Sequence, residues 1–147
     1  MAHSATNLKV SSALDYASGT ADRTGTVLDM AGFDGVLMIV KFAAIATGAT
    51  TSVKAQQGAA ANMSDAADLE GSGITVADDD DNQLFVINMY RPAERYVRIY
   101  VDKDTSNASG EAAIYVQYGG SGALPRLASV TDALTLESHF GPAEGTA

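Results

Sequence analysis

Arg95–Asp102, RYVRIYVD, is the stretch that decides the fold. In an extended chain Val97, Ile99 and Val101 fall on one side, and Tyr96, Arg98, Tyr100 and Asp102 on the other. A strict period of two marks a strand with one face in a core and the other towards water. The inward positions are all β-branched, which suits packing against a second layer.

Working outward, two neighbours are more apolar still. Asp34–Ala43 (DGVLMIVKFA) and Gln83–Tyr90 (QLFVINMY) are nearly continuous apolar runs, and both read as strands buried on both faces. Glu111–Tyr118 (EAAIYVQY) follows the polar loop Lys103–Gly110 and reads as a further strand. Thr26–Met30, Thr50–Gln57 (TTSVKAQQ) and the fragment Gly73–Val76 bring the expected strands to seven, or eight if Leu8–Val10 pairs at an edge. Ala59–Glu70 alone has some helical character, and Gly58, Asn62 and Ser64 favour a loop with one turn.

Many short strands with no long helix between them imply antiparallel pairing. The expected fold is therefore all-β: an antiparallel β-sandwich, jelly-roll-like, with irregular N- and C-terminal arms. Residues 1–20 read as the N-terminal arm, 21–120 as the β-sandwich domain, and 121–147 as the C-terminal arm. Gly119-Gly120-Ser121-Gly122, Pro125 and Pro142 mark the last of these.

Composition removes whole classes of function. The chain has 147 residues, enough for one domain, and 46% of them are apolar. With 9 basic and 18 acidic residues its net charge is −9, which repels phosphate backbones and argues against nucleic acid as a partner. The absence of cysteine removes disulfides, thiolate catalysis and zinc–cysteine sites. Residues 1–20 carry no basic and apolar leader pattern, and the runs Val36–Val40 and Phe42–Ala46 are too short to span a bilayer. Synthesis in a cytoplasm and no membrane partner are the expectations.

No catalytic constellation emerges. A positioned nucleophile wants a base, and the two histidines, His3 and His139, sit near the termini. A carboxylate pair for glycoside hydrolysis wants aromatic walls, and the chain has no tryptophan. Asp78, Asp79, Asp80 and Asp81 form the most conspicuous charge run. They are weak calcium candidates, because alternating ligand positions and a terminal glutamate are missing, and a solvated loop is the plainer reading. Gly119-Gly120-Ser121-Gly122 lacks the Lys-Ser/Thr of a phosphate-cradling loop and reads as a turn. The expectation is a non-enzyme with no cofactor.

Arg91, Arg95 and Arg98 are three of the five arginines, gathered within one short stretch of an acidic chain. They can pair with neighbouring acids of the same chain. They can also form a contact surface, because arginine beside tyrosine on one sheet face is frequent interface chemistry. The second reading nominates Arg91, Arg95, Tyr96, Arg98 and Tyr100 as protein-interface residues.

A longer pattern runs through the chain: Val27-Leu28-Asp29-Met30, then Gly32-Phe33-Asp34-Gly35-Val36-Leu37, then Gln56-Gln57. It continues with Met63, Ala66-Ala67-Asp68-Leu69 and Gly71-Ser72, and then Tyr90-Arg91-Pro92 leading to Arg95-Tyr96-Val97-Arg98. This order resembles the head decoration (cement) proteins of tailed bacteriophages. The resemblance implies a β-sandwich, often trimeric, bound to the outside of an icosahedral head, where it braces neighbouring capsomers. Its implied partners are the major capsid protein and further copies of itself; no enzyme activity or cofactor is implied. A carbohydrate- or receptor-binding β-sandwich module of a head fibre or baseplate is the alternative expectation.

Overall fold

Period-two segments form strands, and in this chain they do so almost without interruption. The computed structural model describes residues 7–104 and 108–120, together with Glu144. Ten strands follow one another: β1 (Lys9–Gly19), β2 (Arg23–Thr24), β3 (Leu28–Asp29), β4 (Gly35–Ile45), β5 (Thr51–Gly58), β6 (Ala67–Asp68), β7 (Ile74–Val76), β8 (Leu84–Tyr90), β9 (Tyr96–Asp102) and β10 (Ser109–Tyr118). There is no α-helix among the described residues.

All pairings are antiparallel and the strands form two sheets. The first sheet runs β1-β10-β4-β8, and the second runs β2-β9-β5-β6, with β3 also on β9 and β7 also on β5. The inward residues of both sheets meet in one core. Val36, Met38, Val40, Phe42 and Tyr115 come from the first sheet, and Val53, Ala55, Val97, Ile99 and Val101 from the second. All ten are fully buried. The chain is thus an all-β antiparallel sandwich, and β9 lies as its alternation predicts.

Tyr115 ties the layers together. Its hydroxyl accepts the Ile99 amide at 3.0 Å and donates to the Thr26 carbonyl at 2.8 Å. It therefore fills the gap between β2 and β3, where the edge of the second sheet is interrupted. Gly25 sits at the same gap, its amide bonded to Ile99 O; a Cβ there would lie 2.5 Å from Ile99 and 2.6 Å from the Tyr115 hydroxyl. Burial raises the Tyr115 pKa far above its ordinary value, so the hydroxyl keeps its proton.

Four expectations need correction. Lys9–Gly19, assigned to an N-terminal arm, is an eleven-residue strand paired along β10. Its Ser and Ala content hid the pattern, and two register breaks, Ser12/Leu14 and Leu14/Ala17, scrambled the period. The Thr26–Met30 strand shrinks to Leu28–Asp29. Most informative, Gln83–Tyr90 is not buried on both faces: β8 is the edge strand of the first sheet. β4 likewise buries Val36, Met38, Val40 and Phe42, while Leu37 and Ile39 are half-buried and Lys41 is exposed. The C-terminal arm expected over 121–147 lies outside the described residues except for Glu144.

Candidate functional site

The two sheets present very different outer faces. On the second sheet the alternation of β9 and β5 turns Tyr96, Arg98, Tyr100, Asp102, Ser52, Lys54 and Gln56 outward. These polar groups are engaged within the chain. Lys54 Nζ lies 2.8 Å from Asp68 and 3.8 Å from Asp102, and sits over the Tyr100 ring. Arg98 Nε donates to Gln56 Oε1 at 2.8 Å. Tyr100 donates to Asp22, whose other oxygen accepts the Lys103 amide at 2.7 Å. Those two bonds, the amide first, hold the Asp22 pKa below the usual carboxylate value, and the same contact raises that of Tyr100.

Arg95 adds a two-point grip on Asp29, with Nε and Nη2 at 2.9 and 2.8 Å, and stacks beside Tyr96. The guanidinium pulls the Asp29 pKa down. Of the five nominated interface residues, Arg95, Tyr96, Arg98 and Tyr100 therefore share this face, and Arg95, Arg98 and Tyr100 spend hydrogen-bonding capacity inside the chain. Arg91 stands apart, in the β8–β9 turn at a φ of 49°, with its guanidinium over Tyr90.

The outer face of the first sheet is largely apolar over β8, β4 and β10. The register puts Leu84, Val86, Asn88 and Tyr90 of β8 beside Lys41, Ile39, Leu37 and Gly35 of β4. On the other flank of β4 stand Ala112, Ile114, Val116 and Tyr118 of β10. Lys41 is the one charged residue in these three rows, and none is acidic. Leu84 is 61% exposed, Tyr90 59%, Val86 47% and Ile114 43%. Contiguous exposed apolar surface of this kind marks a contact site more often than isolated exposed side chains do. The signal in the sequence was the unbroken apolar run: in an antiparallel sheet it makes the second face apolar too, whether or not anything covers it.

The acidic run does structural work. Asp78 accepts the Gly48 amide at 2.7 Å, Asp81 the Ile45 amide at 2.7 Å, and Asp80 the Ala77 amide at 2.8 Å and the Gln83 side chain at 2.9 Å. These side chains cap loop backbone instead of converging. Among the described residues no group of three or more His, Cys, Asp or Glu is placed to hold a metal ion.

One ionic cluster is buried. Lys103 Nζ donates to the carbonyls of Gly19 and Ser109 at 2.9 Å each and lies 3.0 Å from Glu111 Oε1. Arg23 reaches the same oxygen at 3.0 Å, and Ser109 Oγ donates to Oε2 at 3.1 Å. Lys103 and Glu111 are both fully buried. The cluster joins β1, β2, β10 and the end of β9, and every strong donor in it has a partner, so it reads as a clamp.

No family model matches this chain, and no curated protein matches it. Among solved structures it is similar to a chain described as "Bacillus endospore appendages form a novel family of disulfide-linked pili". Identity is 13% and the TM-score 0.39, over 76% of this chain and 92% of that one. Likeness at that level carries no functional argument, and this sequence has no cysteine.

Proposed function

We propose that the chain is a non-enzymatic virion structural protein, a decoration or cement protein on the outside of an icosahedral phage head. The observation that supports this most is the asymmetry of the sandwich: one outer face is polar and satisfied within the chain, the other apolar and open. A bracing module needs a rigid core and an adhesive surface, and no reaction chemistry. The strand wiring suits the same reading. Counting β2 with β3 and β6 with β7 as interrupted strands, the sheets run first-eighth-third-sixth and second-seventh-fourth-fifth. We read this as a jelly roll.

The partners in this reading are the major capsid protein and further copies of the chain, in a trimer as the family resemblance implies. Its place is the outer surface of the head, where a net charge of −9 limits adhesion to released nucleic acid. Stabilisation works by mass action. A ligand of the assembled shell alone adds RT ln(1 + [L]/Kd), about 2.7 kcal/mol per site at about a hundredfold excess over Kd. Cosedimentation with undecorated heads tests the proposal. The chain should pellet with expanded shells and raise their disruption temperature. A chain that leaves every shell unbound, yet is retained on a glycan array, would transfer the reading to a carbohydrate-binding module.

A further inference from the structure

We infer that the β8 edge and the apolar face beside it are where a second copy of this chain binds. The inference rests on the decoration-protein reading in taking further copies of the chain as partners, and it names the surface through which they meet.

An edge strand offers unpaired backbone N–H and C=O groups, and folded proteins protect such edges. The sandwich has four, and three carry known protections. β2 and β3 on one side of the second sheet, and β6 and β7 on the other, are only two or three residues long. β1 is broken by two register shifts and carries Lys9 and Asp15. β8 has none of these. Its seven residues, LFVINMY, contain no charge and no proline, and all seven pair with β4 without a register shift. Among the described residues nothing pairs with its other side.

The space beside that edge is shaped to receive a strand. A groove of about 520 Å³ runs along β8, lined across the gap by Gln57, Leu69, Glu70 and Ile74 and beyond the end of β8 by Arg91. An added strand would bond to the β8 backbone and lay alternate side chains into the groove and onto the sheet face.

Charge selects the occupant. Two copies approaching at random bring −9 against −9. The face formed by β8, β4 and β10 has no acid and a single lysine, and the groove beside it adds one acid, Glu70, and one base, Arg91, so this is where copies meet at least electrostatic cost. A basic foreign partner would instead be drawn to the acid-rich remainder. Size decides how they meet. The four-stranded face is roughly 19 Å wide and runs from about 24 Å along β8 to about 34 Å along the longer strands, so it measures about 450–650 Å². A stable interface takes about 800 Å² from each partner. Face stacking therefore falls short, and backbone pairing along β8 with filling of the groove makes up the difference.

Two measurements on the full chain test this. Sedimentation across a wide concentration range should show wild-type oligomers that Leu84→Glu and Val86→Lys each convert to monomers. Leu84→Glu sets a carboxylate opposite Lys41 and so keeps the monomer folded. Hydrogen exchange on the wild type should show the β8 amides that point away from β4 protected when concentrated and at least tenfold faster on dilution into the monomer range, with β5 and β9 unchanged. A wild type that is monomeric at all concentrations would overturn the inference, as would oligomers indifferent to both substitutions. So would protection of those same outward amides that persists in the monomer, because the edge would then be covered without a second copy. Failure to bind shells would leave the result untouched.

Discussion

The two outer faces of this sandwich are built from strands of similar length and the same period, yet they have opposite chemistry. On the face of β9 and β5, long polar side chains cross between strands and satisfy one another, as Lys54 does with Asp68 and Arg98 with Gln56. On the face of β8, β4 and β10, Tyr118 donates to Asn88 at 2.7 Å, but most of the positions where such partners would stand are aliphatic. Cross-strand polar pairs make a surface complete in water, whereas an apolar face gains free energy only when something covers it. The open face therefore has more to gain from being covered than the arginine-rich one.

The comparison can be broken first between the faces, at the buried clamp. Glu111→Ala strands Lys103 without its carboxylate and should cost about 3–5 kcal/mol in urea unfolding, far more than any exposed ion pair. A cost under about 1 kcal/mol would show that buried and surface charges behave alike here. Next, inward and outward positions of the first sheet should separate. Met38→Ala leaves a cavity and should cost about 2–5 kcal/mol. Val86→Ala, nearly half exposed, should cost the monomer less than about 1 kcal/mol while weakening self-association.

Smaller effects sharpen the polar face. Arg95→Ala removes an exposed grip on Asp29 and should change stability by about 0.2–1 kcal/mol, with little effect on sedimentation. If it dissolved the oligomer instead, the arginine-rich face would be the contact surface. The least effect is with pH. The hydrogen bonds and cations beside Asp22, Asp29 and Asp68 hold all three carboxyls below their ordinary value. Their contribution is complete above that value and is lost as pH falls through the lowered ones. Unfolding midpoints should therefore drop on acidification below about pH 4, and less steeply in Asp29→Asn.

Much of this was legible in the residues. RYVRIYVD announced its strand and its inward side, and its tyrosines and arginines did land together. The arginine-bearing patch was visible, but not that its groups are mostly satisfied at home. Asp29 and Gln56 lie 66 and 42 positions from the arginines they hold. Tyr115 was equally hidden: it sits in an alternating strand like its neighbours, and only the interruption between β2 and β3 gives its hydroxyl a task.

The sequence by itself determined the all-β class, the inward set of β9 and the lack of any cysteine chemistry, because these depend on residue type and on a period of two. Tertiary structure decided that β8 is an edge, that Lys9–Gly19 belongs to a sheet, and that Lys103, Glu111 and Arg23 meet. Each depends on which strand lies beside which. A local pattern reports whether a segment can be buried; only the pairing of distant strands decides what, if anything, buries it.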